Sequence, residues 1–91
     1  DIKTRALVEA KTEGEQILQT TEKFLTKNST LVTPEEMMQT AAAMQALQLA
    51  ITMDDKDLIQ KKIEELNTIS TPFAERVMDI AVAEALKGKT I

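Results

Sequence analysis

The sequence predicts an all-α fold, an antiparallel bundle of three to four helices with a long, partly projecting first helix. Three observations carry this. Gly and Pro number only two each, so the turn residues an all-β chain needs roughly every 8–12 positions are missing. Apolar residues recur at three- and four-residue spacing. Thr33-Pro34 and Thr71-Pro72 both read as helix starts, with Thr as N-cap and Pro in the first turn. With 91 residues, 43% hydrophobic and 29% charged, the chain is one globular domain near the lower end of what buries a usable core. Aromatics make up 2%, Phe24 and Phe73, so Leu, Ile, Met and Ala must fill the interior.

The first helix is placed at about 2–27. Leu7, Ala10, Gly14, Ile17, Thr21 and Phe24 follow the three-four spacing, and Leu18 and Leu25 widen the stripe. Glu9, Glu13, Gln16 and Lys23 lie opposite. The half before Gly14 is poorer in large apolar residues than the half after it. The expectation is that the second half packs and the first half projects. Asn28 and Ser29 end the helix.

The second helix is placed at about 34–52 and has the clearest start in the chain. Thr33 can accept from the N3 amide while Glu36 reaches back, and Glu35 and Glu36 sit at the positive end of the helix dipole. Met37, Ala41, Met44 and Ile51 make one stripe, with Met38, Ala42 and Leu49 beside it. Apolar residues on more than half the circumference fit a helix sandwiched between two others. The five Met residues could line an adaptable peptide groove, but their helical spacing favours core packing.

Asp54 or Asp55 caps a third helix, placed at about 55–70, with Asp57 in its first turn. Leu58, Ile59, Ile63, Leu66 and Ile69 face inward. Pro72 either kinks this helix or separates it from a fourth, placed at about 72–87, and the residues leave that open. On this last segment Phe73, Val77, Ile80, Ala81 and Leu86 are the inward candidates. Gly88 is a good residue to follow a helix C-terminus, and Lys89, Thr90 and Ile91 form a tail.

The residues are poor in chemistry. Without His, Cys, Tyr or Trp, most nucleophile–base pairs and nearly all transition-metal ligand sets are unavailable. Glu35-Glu36, Asp54-Asp55 and Glu64-Glu65 are adjacent pairs, pointing about 100° apart on a helix rather than converging. They read as caps and wet faces. No glycine-rich phosphate loop is present. Neither a catalytic nor a metal or cofactor site is expected, and the chain is not read as an enzyme. The net charge of −4 argues against nucleic acid and anionic membrane as partners. Lys56, Lys61 and Lys62 alternate with acids and have no aromatics beside them for base stacking, so they read as a solvated face. The stretch from Met37 to Met53 is too short and too rich in Gln for a membrane span.

Four segments together resemble one family. KTEGEQILQTTEKFL is similar to the second half of the long lid helix of the seventy-kilodalton heat-shock chaperones, the DnaK-like family. A Pro-plus-acid start opens the next helix after a short loop. MDDKDLIQKKIEELNTIS is similar to the third bundle helix, and PFAERVMDIAVAEALKGKTI resembles the terminal helix of the HscA branch, the bacterial chaperones of iron–sulfur cluster assembly. The closing pattern, Phe73, Ala74, Arg76, Met78, Asp79 and then Ala85-Leu86-Lys87-Gly88, selects that branch. The resemblance spans essentially the whole chain. Its start inside a helix, without Met, is what a piece of a larger chaperone would show.

The resemblance implies a single lid domain, residues 1–91, that closes over a peptide held by a β-sandwich domain of the same chain. ATP would be bound and hydrolysed by a domain outside this stretch. A J-domain cochaperone would deliver the client, the iron–sulfur scaffold, in the bacterial cytoplasm. In the family the acid after the helix Gly latches to an arginine of the β domain, which matches Glu15. The second latch position, one turn later, is a His in DnaK and Gln19 here. Glu is longer than the usual Asp, and Gln bonds without charge, so the resemblance implies a weakened or rebuilt latch. A general DnaK-type lid and a stand-alone helical adaptor that binds a partner helix are the competing readings. If the β domain were missing, Leu7 and Ala10 would lie uncovered, and a weak homodimer would be expected.

Overall fold

The computed structural model describes residues 2–88. It is three helices, α1 Ile2–Lys27, α2 Pro34–Thr52 and α3 Lys56–Gly88, in up-down-up order, each packed on the other two. The N-terminal half of α1 lies beside the α2–α3 junction, where Lys11 pairs with Asp54. The C-terminal end of α1 lies beside Val77 and Ala81 of α3.

The start of α2 has the full reciprocal cap. Thr33 Oγ1 accepts from Glu36 N at 3.1 Å, and Glu36 Oε1 accepts from Thr33 N at 3.0 Å. Asp55 is the residue that caps α3, its Oδ1 accepting from Leu58 N at 3.2 Å. Asp54 instead takes a left-handed conformation, φ 55°, which Asp tolerates better than most residues.

The core is Ala10, Leu47, Ala50, Ile59, Ile63 and Leu66, ringed by half-buried Leu7, Ile17, Leu18, Met44, Ile51 and Leu58. Leu47, Ile59 and Leu66 are fully buried, each contributing about 1.5–3 kcal/mol of apolar burial. Gly14 sits where α1 presses on α2. A Cβ there would stand 3.0 Å from Ile51 Cδ1 and 3.4 Å from Leu47 Cδ1. The inward stripe expected for the third helix is as observed, with Ile59, Ile63 and Leu66 buried. Thr40 is the fully buried polar residue, and its hydroxyl donates to Glu36 O at 2.9 Å.

Several expectations are corrected, and the alternative left open at Pro72 is resolved: it does not separate two helices, because α3 runs through it to Gly88. Pro72 is exposed, so its ring meets solvent, and it withholds one helix hydrogen-bond donor. The half of α1 before Gly14 is drawn in at Leu7 and Ala10 while residues 2–5 stay exposed, and the end of α3 projects as well. Residues 81–87 of α3 are exposed, including Val82 and Leu86, so Ala81 and Leu86 are not inward. A helix of 33 residues is about 50 Å long and outruns its neighbours, giving the molecule a 60 × 27 × 17 Å shape. α2 is not sandwiched, since the stripe of Met38, Ala42 and Leu49 faces solvent. No Met among the described residues is buried, with Met37 and Met44 half-buried and Met38, Met53 and Met78 exposed. The expected tail, Lys89, Thr90 and Ile91, lies outside the described residues.

Candidate functional site

The two latch candidates lie on the outer face of α1. Four residues of helix place Glu15 and Gln19 one turn apart on the same side, and both are exposed. The face follows from the stripe opposite. Ala10, Gly14 and Thr21 are drawn into the bundle, which turns Val8, Thr12, Glu15, Gln19 and Glu22 outward. The close seating of Gly14 on Ile51 and Leu47 holds this stretch of α1 down on α2. The segment that carries Glu15 is therefore backed by the core rather than hanging free.

Lys11 is the cation one turn before Glu15, at the spacing that pairs charges on a helix. It bonds instead to Asp54 across the bundle. Among the described residues, no side-chain hydrogen bond or ion pair is made by Glu15 or Gln19. The carboxylate of Glu15 and the amide of Gln19 are thus open to a partner that approaches this face. Below them, toward the end of α1, Gln19, Glu22, Lys23 and Thr26 line a shallow depression. A separate groove runs between α1 and α3, with Ile17, Phe24 and Ala74 at its floor and Gln16, Thr20 and Asn67 at its rim. No titratable side chain lines it, so it can hold apolar groups and accept hydrogen bonds but carries no acid–base chemistry.

A bidentate ion pair joins two positions that the sequence does not connect. Arg76 of α3 makes two parallel bonds to Glu36, Nη1 to Oε1 and Nη2 to Oε2, each 2.7 Å. Its Nη1 also donates to Leu31 O at 3.3 Å, and the guanidinium lies 5.9 Å from the centre of the Phe73 ring. The Arg76 hydrogen bond, followed by the Thr33 amide, holds the Glu36 carboxyl down at about 2. Glu36 in turn raises Arg76 above its ordinary value. In the sequence Glu36 reads as a cap residue and Arg76 belongs to the closing pattern. No local signal joins positions 40 residues apart.

No group of three or more His, Cys, Asp or Glu side chains among the described residues could hold a metal ion. None of the described helices is long and apolar enough to cross a membrane. The burial of Ala10 and partial burial of Leu7 remove the uncovered stripe on which a homodimer was expected.

Comparison with known proteins matches residues 1–79 to the family model described as Hsp70 protein. The chaperone protein HscA homolog of Shewanella woodyi is 36% identical over 91 residues, which is the whole of this chain and 15% of that protein. The chaperone protein HscA of Klebsiella pneumoniae is 33% identical over the same length and share. The HscA homolog of Tolumonas auensis is 37% identical over 92 residues, again 15% of its length. The chain thus spans about 15% of the length of the curated relatives it matches. No solved structure matches it.

Proposed function

Since this chain belongs to the Hsp70 family, we propose that it is the helical lid of a chaperone of the HscA kind and slows the release of a bound peptide. The observation that carries the reading is the outer face of α1, where Glu15 and Gln19 stand exposed, unpaired within the bundle and backed by the core. A lid needs such a surface, polar enough to be released and rigid enough to close as one body. Exposed hydrogen bonds and ion pairs are worth only about 0.2–1 kcal/mol, which suits a contact that must open again. The bundle behind α1 acts as a buttress. Its own residues supply no catalysis, and ATP would be bound and hydrolysed by a domain outside this chain.

Within this reading the opposing group is an arginine of a β-sandwich peptide-binding domain. Glu15 would pair with it through charge, and Gln19 would add a neutral hydrogen bond. The client would be the iron–sulfur cluster scaffold, brought by a J-domain cochaperone in the bacterial cytoplasm. The lid gates exit, so its effect falls on dissociation rates more than on association.

A distance measurement tests closure directly. The chain has no Cys, so Gln19→Cys gives a unique labelling position within it. In the full-length protein, with a second label on the β domain, the distance from position 19 should shorten when ATP is replaced by ADP and peptide. An unchanged distance sinks the lid reading.

A further inference from the structure

The buried apolar residues fall into two groups along the bundle. Ala10, Leu47, Ala50, Ile59, Ile63 and Leu66 form one cluster. Leu25, Val32 and Phe73 are also buried but stand apart from it, toward the end where the last turns of α1 lie beside α3. Between the groups each helix turns a small hydroxyl residue inward. Thr21, between Leu18 and Leu25, and Thr40, between Val32 and Leu47, are buried. Ser70, between Leu66 and Phe73, is half-buried, as is Ile69 beside it. The Thr40 and Ser70 hydroxyls donate to carbonyls of their own helix, Glu36 O and Asn67 O, so neither bond ties one helix to another. The groove between α1 and α3 opens at this level, with Thr21 and Ser70 in its wall. Few apolar contacts cross such a layer, and cooperative units of a fold separate where such contacts are few.

The backbone of α3 is weakened at the same place. Pro72, just past Ser70, withholds a donor from Thr68 O. Beyond it Arg76 holds α3 to the rest of the bundle through Glu36, at the start of α2, and Leu31 O, in the loop before α2. Both partners lie on the Val32 side of Thr40.

We propose that the bundle opens in two stages, with α3 hinged at Pro72 and Arg76 as the clasp. In the first stage α3 beyond Pro72 swings away from the end of α1 and the loop before α2. Leu25, Val32 and Phe73 are then uncovered while the larger cluster stays closed. Glu15 and Gln19 ride on that larger cluster, since Gly14 seats α1 against Leu47 and Ile51. The opening is therefore separate from closure of the lid, and the face of α1 keeps its shape while the far end of the bundle yields.

Hydrogen exchange read by mass spectrometry on the full-length protein tests this. Amides 73–80 of α3 and 22–27 of α1 should exchange about tenfold faster than amides 59–66. Ile59→Val trims the larger cluster and should speed amides 59–66 about two- to tenfold. It should leave the other two segments unchanged, because that cluster is intact in the first open form. Arg76→Ala should speed 73–80 and 22–27 together, although none of the Arg76 bonds reaches α1. Equal acceleration of all three segments by Ile59→Val means one cooperative unit and overturns the proposal. So does equal exchange of the three in the unaltered protein. An Arg76→Ala effect confined to 73–80 also overturns it, since α3 would then merely fray from its own end.

Discussion

Glu36 and Arg76 share two hydrogen bonds of 2.7 Å, and through them the cap of α2 is tied to α3 just past Pro72. Glu36 serves both ends of this connection, accepting from the Thr33 amide with one oxygen while both face the guanidinium. Paired donors of this kind hold geometry as well as charge. Glu36→Gln and Arg76→Ala should each lower the melting temperature. The double variant should lose less than the two single losses added together, and a double-mutant cycle measures the difference.

The same pair sets an acid dependence. A carboxyl held at about 2 in the folded protein and near its ordinary value when unfolded stabilises the fold fully above that ordinary value. The contribution is lost as pH falls toward about 2. Melting temperatures measured from about pH 6 down to about pH 2 should fall less steeply for Glu36→Gln than for the unaltered protein. Equal slopes would mean the pair does not form in solution.

Pro72 lies inside α3 with its ring in solvent. The missing amide leaves a carbonyl one turn earlier without its helix partner. That carbonyl belongs to Thr68; the hydroxyl beside the proline, Thr71 Oγ1, donates to the neighbouring Asn67 O at 2.6 Å. Pro72→Ala should stabilise the chain by about 1–2 kcal/mol, after the added freedom of the unfolded chain is set against the restored bond. Chemical denaturation reads this, and a loss of stability would show that the proline shapes a bend the packing needs.

Gly14 tests how tightly α1 sits on α2. Ala brings helix propensity of about 1 kcal/mol, but its Cβ meets the Ile51 methyl at 3.0 Å. Ile51 is half-buried and can rotate, so Gly14→Ala should change stability by less than about 1 kcal/mol. Gly14→Val adds bulk against Leu47, which cannot move, and should cost about 1–3 kcal/mol. Leu66→Ala, by contrast, should cost about 2–5 kcal/mol, because Leu66 is fully buried.

Much of this was legible in the residues, for reasons that differ by element. Thr33-Pro34-Glu35-Glu36 encodes its cap within four positions, and the cap is present. The Ile59, Ile63 and Leu66 stripe alternates with charge, so its buried face stands out. α2 offered no such contrast. With apolar or small residues all around, its sequence does not distinguish the side that meets the bundle from the exposed side of Met38, Ala42 and Leu49. Pro72 left a break and a kink equally open because the local rule about helix breaking says nothing of the packing on both sides, Leu66 before it and Phe73 after it, both buried. The Glu36–Arg76 pair was out of reach because tertiary structure alone joins it. On α1, the spacing that buries Ala10 and Gly14 also sets the outward direction of Glu15 and Gln19.

Glu15 is where the lid reading is most exposed. If it pairs with an arginine of the β domain, Glu15→Ala should speed client dissociation from the full-length protein roughly two- to fivefold, the range of an exposed ion pair. Stopped-flow fluorescence with a scaffold-derived peptide measures it, and an unchanged rate assigns Glu15 to the solvated surface. The isolated chain should show no saturable binding of that peptide at micromolar concentration, because peptide capture belongs to the β domain.

The central claim rests on one comparison, the dissociation rate of a labelled scaffold peptide from the full-length protein in its ADP state, with and without this segment. The account predicts a clear acceleration on deletion with little change in association. An unchanged dissociation rate would contradict it and leave the bundle as an attachment with another purpose.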